Sequence, residues 1–278
     1  MTILLLVAVM VTGQPVPLLA EPEAVETAEA RKAIELAQEE VAKYALYQGD
    51  NREIKLQLRQ EPILRWTNHL RRRFYGDVFI WTHHGRPEAV ATITNSYGEY
   101  HAMETEAHSL SLAKFTATRE DQPMWNPSRA GIELSQVPDA PAVAEVPAQR
   151  LQQMRGIARQ FSADASSSPQ QLQLRLLPHP VYRYESTAPD LIDGAMFAFA
   201  NGTDPEIFLL LEARPAGATT RWQYALARFN SHVALQVFYN RRQVWAVPSL
   251  RGGEMKDLNS TYFAFQRRIS EPSRRESN

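Results

Sequence analysis

Four consecutive large apolar residues, Val78-Phe79-Ile80-Trp81, constrain the fold of this chain more than any other feature. A strand turns successive side chains to opposite faces. This run therefore needs apolar cover on both sides, as a strand in the middle of a layered protein has. His83-His84-Gly85-Arg86-Pro87 follows with turn chemistry, and residues 89–93 return as a second apolar run. Together they read as a β-hairpin. Residues 196–200 and 207–213 repeat the arrangement around Asn201-Gly202.

The two hairpins lie in longer matching blocks, 118 residues apart. Pro62-Ile63-Leu64-Arg65-Trp66 corresponds to Pro180-Val181-Tyr182-Arg183-Tyr184. Gly76-Asp77-Val78-Phe79 corresponds to Gly194-Ala195-Met196-Phe197, and Pro87-Glu88 to Pro205-Glu206. An amphipathic helical pattern precedes each block. Over residues 24–48 its stripe is Ile34, Ala37, Val41, Tyr44 and Ala45. The second stripe is Leu151, Met154, Ile157 and Phe161, with Pro147 suited to the first turn. Long-period self-similarity points to repeated supersecondary units. The expected fold class is α+β, two tandem helix-plus-antiparallel-sheet units arising by internal duplication, with a layout similar to cystatin-like folds. The expected boundaries are a signal peptide over 1–20, a first unit over 21–138, a second over 139–268 and a disordered tail over 269–278.

Further strands are expected over residues 55–59, 62–66, 100–112, 114–119, 132–134, 171–177, 222–229, 233–239 and 244–247, with 262–265 closing a sheet. Residues 162–169 have the small polar composition of a linker.

Residues 3–11 are uninterruptedly apolar, too short to span a bilayer, which takes about 20 such residues. Gly13, Pro15 and Pro17 break the run, and Ala20 stands before Glu21. This reads as a secretory signal peptide cleaved near Ala20, although the segment before the apolar run carries no Lys or Arg. The expected location is extracytoplasmic, periplasmic or secreted, without a transmembrane span after cleavage. The 278 residues include no cysteine, which excludes disulfides, thiol nucleophiles and thiolate metal sites. Thirty basic against 31 acidic residues give a net charge of −1, which supports neither nucleic acid nor an anionic membrane surface as partner.

The blocks over residues 76–88, Trp125-Asn126-Pro127, residues 193–214 and Trp222-Gln223-Tyr224-Ala225-Leu226-Ala227-Arg228 resemble segments of uncharacterised, signal-bearing proteins of planctomycete-type bacteria. The resemblance implies export from a bacterial cell. It brings no activity and no catalytic residues.

Five of the seven histidines fall between His69 and His108. In a strand, Glu104, Glu106 and His108 share one face, and carboxylate plus imidazole suits zinc or another divalent metal. A solvated polar sheet face has the same composition. Arg71-Arg72-Arg73 with Phe74-Tyr75 suits an anionic group or a solvated loop. Asp190, Asp193 and Glu185 could pair for hydrolysis, and Ser109 and Ser111 flank His108 closely. Five tryptophans, 66, 81, 125, 222 and 245, suit either a sugar-binding surface or burial beneath the helices. No established catalytic motif is present. The leading expectation is a non-catalytic binding, scaffold or envelope-associated module without a cofactor, whose partner is a protein or envelope component. The rival is a metal-dependent hydrolase built on Glu104, Glu106 and His108.

Overall fold

The computed structural model describes residues 27–49, 52–68, 73–167, 169–185 and 190–269. The signal-like segment with its cleavage point, the tail from 270 onward, and His69, Arg71 and Arg72 lie outside the described residues.

Helix α1 (Ala28–Val41) leads into β1 (Tyr44–Gln48), β2 (Ile54–Lys55), β3 (Gln57–Leu58), β4 (Leu64–Asn68), β5 (Arg73–His83), β6 (Arg86–Tyr97), β7 (His101–Ser109), β8 (Phe115–Arg119), β9 (Gln122–Trp125) and β10 (Ser135–Gln136). Helix α2 (Pro147–Ala158) then precedes β11 (Phe161–Ser167), β12 (Gln170–Leu176), β13 (Tyr182–Tyr184), β14 (Asp193–Asn201), β15 (Asp204–Ala216), β16 (Thr219–Arg228), β17 (Ala234–Tyr239), β18 (Arg242–Val247) and β19 (Tyr262–Arg268).

The expected α+β class is corrected by this count. Among the described residues two helices, of 14 and 12 residues, stand against nineteen strands, and the protein is mostly β. Two local competitions explain the error. The helical stripe expected to run to residue 48 stops at Val41, because Tyr44–Gln48 pairs residue for residue with β8. Residues 162–167, read as linker, form most of β11, which is paired along both edges, to β12 and to β17. Ala163 and Ala165 alternate into the core there, so small side chains that look like linker are a strand's inward face.

Nor are the sheets confined to successive stretches of chain. The six-stranded sheet has the order β19-β7-β6-β5-β3, with β4 also on β5. The nine-stranded sheet runs β10-β16-β15-β14-β12-β11-β17-β18, with β13 also on β14. A third sheet is β2-β1-β8-β9. Thus β10, from the first half of the chain, edges the second half's sheet, and β19, from the second, edges the first half's. What recurs is pairing register: Val78↔Thr92 and Met196↔Leu210, Leu64↔Val78 and Tyr182↔Met196, Leu58↔Trp81 and Leu176↔Phe199, each pair 118 residues from its counterpart.

Alternation explains why the central strands are apolar on both faces. Phe79 and Trp81 pack with Ala37 and Val41 of α1. Phe197, Phe199, Leu209 and Leu211 pack with Met154 and Ile157 of α2. The opposite faces meet each other: Val78, Ile80 and Val90 from one sheet pack with Met196, Ala198, Phe208 and Leu210 from the other. The order of layers is α1 with the four-stranded sheet, then the six-stranded sheet, the nine-stranded sheet and α2, and the seam between the two larger sheets lies inside. Fully burying side chains of this size contributes about 1.5–3 kcal/mol each. Trp81 and Trp125 lie on the α1 side and Trp222 on the α2 side, whereas Trp66 belongs to the seam. Among the described residues no helix is long and apolar enough to cross a membrane.

Candidate functional site

The seam is apolar at its centre and charged at both ends. Its charges enter through two β-bulges. In the β5–β6 hairpin, Pro87 pairs with Thr82 and Ala89 with Trp81, which leaves Glu88 out of register. In the β14–β15 hairpin, Pro205 pairs with Ala200 and Ile207 with Phe199, which leaves Glu206 out of register. A bulge re-aims the side chain it carries. Each bulged carbonyl accepts from the strand beyond, Glu88 from the Leu110 N–H at 2.8 Å and Glu206 from the Phe229 N–H at 2.7 Å.

At one end each carboxylate is balanced by a guanidinium partner. Arg86 donates through Nε to Glu212 Oε1 at 2.9 Å and through Nη1 to Glu88 Oε1 at 2.9 Å. Arg214 donates through Nη1 to Glu212 Oε2 at 2.7 Å and also pairs with Asp190. The Tyr184 hydroxyl donates to Glu212 Oε1 at 2.8 Å, and Gln48 Nε2 to Glu88 Oε2 at 2.8 Å. Burial works against the Arg86 charge, but the carboxylates of Glu212 and Glu88 outweigh it and raise its pKa.

The other end lacks this compensation. At the position 118 residues beyond Arg86 stands Asp204, and 118 before Arg214 stands Ser96. A cleft of about 230 Å³ opens there, lined by Glu104, Glu106, Asp204, Thr94, Asn230 and His232, with Trp66, Phe74 and Phe229 as aromatic walls. Glu206 adjoins it, 4% exposed, with its Oε2 atom unpartnered. The Trp66 indole N–H is likewise buried without a partner. Cross-strand register sets much of this wall: Trp66, Gly76, Thr94 and Glu104 are successive partners across β4, β5, β6 and β7. Gly76 is required there, because a Cβ would lie 2.1 Å from the indole.

The guanidinium near these acids is engaged elsewhere. Arg228 donates to the carbonyls of Asn230 and Pro248 and lies over the Tyr262 ring, 5.2 Å from its centroid. Burial lowers its pKa. The Tyr262 hydroxyl donates to Glu106 Oε1. Burial, with Glu104 and Glu206 as like-charged neighbours, pushes Glu106 up to about 8 despite that bond. Burial and the carboxylates of Glu206, Glu106 and Glu104 push Asp204 up to about 9. Burial raises Glu206 to about 7 and raises Glu104 as well.

These shifts fix a sign. Unfolded carboxyls release their protons near pH 4 (about 3.9–4.3). Between there and about pH 9 the folded chain holds more protons than the unfolded chain, so stability falls as pH rises. Urea midpoints are expected to decline from pH 7 to pH 9, and Glu106→Gln combined with Asp204→Asn to flatten the decline. A wild-type midpoint constant over that range would contradict this account of the cleft.

The expected metal trio is only partly reunited. Glu104, Glu106 and His108 do share the seam face of β7, and the two glutamates reach the cleft. His108 is buried, and burial lowers it to about 4. Its Nδ1 lies 2.7 Å from the Ser109 carbonyl, an acceptor, so Nδ1 carries the proton. Among the described residues no three His, Asp or Glu side chains are grouped to hold a metal ion. The other histidines disperse. The His83 and His84 rings, 4.1 Å apart, border the balanced end, while His101 stacks on Tyr97 and meets Asn95.

The remaining candidates are structural. Asp193 is fully buried between Arg150 and Arg183, Asp190 is held by Arg214, and Glu185 is exposed near Arg183. Arg73 pairs with Glu29 at 2.9 Å. The Ser111 hydroxyl accepts from Gln48 at 2.9 Å. Sequence reasoning missed Asp204 and Glu206. The available signal was the shared Pro-Glu of the two hairpin turns, where Arg86 is exchanged for an acid. Comparison with protein-family models, curated proteins and solved structures yields no match to this chain.

Proposed function

We propose that this is an exported, non-catalytic binding protein that takes a small ligand into the acidic cleft between its two sheets. One observation carries the reading. Two ends of the seam correspond in strand register and each borders an opening, of about 220 and 230 Å³, but at one of them Arg86 and Arg214 meet the carboxylates. The other gathers Glu104, Glu106 and Asp204 around its opening, with Glu206 behind them, and the nearby guanidinium of Arg228 is bonded to carbonyls instead of to these acids. Crowded carboxyls, one buried and three half-buried, with no counter-charge weaken a fold. Departures from local consistency of this kind are expected where a site uses them. Support for binding over catalysis comes from the partners of the polar groups. His108 bonds a carbonyl rather than a hydroxyl, and the cleft offers carboxylates and aromatic faces around a small volume.

Thermal unfolding against a panel of cationic, neutral and anionic small molecules tests this. At least one is expected to raise the wild-type midpoint, with the rise lost in Glu106→Gln, Asp204→Asn. Protection by none, or equal protection of that variant, would remove the cleft as a binding site. The case for export rests on the apolar run over residues 3–11, the small residues before Glu21 and the resemblance to signal-bearing proteins. The mature chain is expected to begin close to Glu21 by intact-mass analysis. Recovery of Met1 in a cytoplasmic fraction would overturn export.

A further inference from the structure

We infer that the ligand of this cleft is a small organic ammonium compound, held by carboxylates on one side and aromatic faces on the other. The inference rests on the cleft being a binding site and specifies what binds there. Four features of the site point to this chemistry. The first is charge: Glu104, Glu106, Asp204 and Glu206 adjoin one another, while the guanidinium of Arg228 is bonded to carbonyls. A cation is the missing partner.

The second is an unpartnered polar atom on a residue that lines the cleft. The Trp66 Nε1–H is a donor with nothing to donate to, and behind the cleft Glu206 Oε2 is an acceptor with no donor. Both residues are more than nine-tenths buried, at 8% and 4% exposure. Buried polar groups are nearly always hydrogen-bonded. A hydroxyl or carbonyl of a ligand in the cleft, a few bonds from its ammonium group, answers the indole. A bare metal ion leaves that donor unanswered.

The third is the wall. Trp66, Phe74 and Phe229 line the same cleft as the acids. Aromatic faces attract cations through the ring quadrupole, and alkylated ammonium groups are recognised in this way. The fourth is grouping. Metal ions need several donors within about 2.0–2.6 Å of one point, and among the described residues no three His, Asp or Glu side chains are grouped to hold one. Neighbouring carboxylates on two strands suit a cation whose charge is spread over carbon and nitrogen. The volume, about 230 Å³, limits the ligand to about ten non-hydrogen atoms.

Binding must couple to protons. Glu104 and Glu106 from β7, Asp204 from β15 and His232 from the loop after β16 line the site, and Glu206 from β15, Arg228 from β16 and Tyr262 from β19 lie behind them, in contact with or acting on the same acids. Burial keeps Glu106 and Asp204 largely protonated at neutral pH, so a cation that pairs with them displaces protons. Affinity therefore rises with pH up to about 9.

The test is calorimetric titration of the purified mature chain with choline, ethanolamine and putrescine. The neutral choline isostere 3,3-dimethylbutanol, Ca²⁺ and Zn²⁺ serve as controls. At least one ammonium compound is expected to bind, with affinity rising at least about tenfold from pH 6 to pH 8. The Glu106→Gln, Asp204→Asn variant is expected to lose about tenfold or more in affinity while melting higher than wild type at pH 8, which separates lost binding from lost folding. Trp66→Phe, which leaves a smaller aromatic ring and removes the N–H, is expected to weaken ethanolamine and choline more than putrescine. Equal binding of dimethylbutanol, or binding of Ca²⁺ or Zn²⁺ alone, would overturn the ammonium assignment and leave the cleft standing as a site. No binding by any probe, together with no protection in the wider panel, would overturn both.

Discussion

Arg86→Ala is expected to lower the unfolding free energy by about 3–5 kcal/mol, measured by urea denaturation at pH 7. Its side chain, 6% exposed, joins carboxylates from both sheets, Glu88 from its own strand and Glu212 from the facing one. Alanine leaves Glu88 with the Gln48 amide alone and Glu212 with Arg214 and Tyr184. The expense lies in the stranded charge rather than in the lost bonds. Arg86→Met with Glu88→Gln is therefore expected to recover a substantial part of the loss, because both charges leave together. If the single variant lost less than about 1 kcal/mol, the balanced end would be a solvated surface pair.

Phe208→Ala is expected to cost about 3–5 kcal/mol, the range for removing a fully buried aromatic ring. Phe208 has no exposure, belongs to the seam cluster and meets Phe229 edge to face with centroids 4.7 Å apart. Because the ring is shared between layers, the unfolding curve is expected to keep a single transition while its midpoint falls. Two separated transitions in the variant would show that the layers fold independently and that the seam contributes little.

Much of the strand content was legible, because turn chemistry and two-faced apolar runs are local signals. His84 and Gly85 adopt positive φ in the turn between β5 and β6, and Gly202 does so between β14 and β15. These are the positions at which sequence placed the turns. The class was not legible. Tyr44-Ala45-Leu46-Tyr47 satisfies both a helical and an alternating pattern, and the choice was made by β8, some seventy residues downstream. The site was half legible. Glu104 and Glu106 announced a shared face through their spacing, but their neighbours Asp204 and Glu206 come from a strand about a hundred residues away. Nothing local in either segment encodes that meeting. His108 was drawn into the trio by the same alternation, yet its ring is spent on the adjacent backbone carbonyl.

The exchange of edge strands has a consequence for how the chain reaches this fold. Strand β7 pairs on one side with β6 and on the other with β19, over seven register partners from Tyr262↔His108 to Arg268↔Ala102. A chain emerging N-terminus first can form the β5–β6–β7 meander early, since those pairings are between consecutive strands. The outer edge of β7 then stays bare until residue 268 has appeared, and a bare edge is a template for another chain. The order of emergence thus makes the first sheet the last to be sealed. The hydroxyl that reaches Glu106 arrives on the sealing strand, so the cleft acquires its finished wall only when the molecule is otherwise complete.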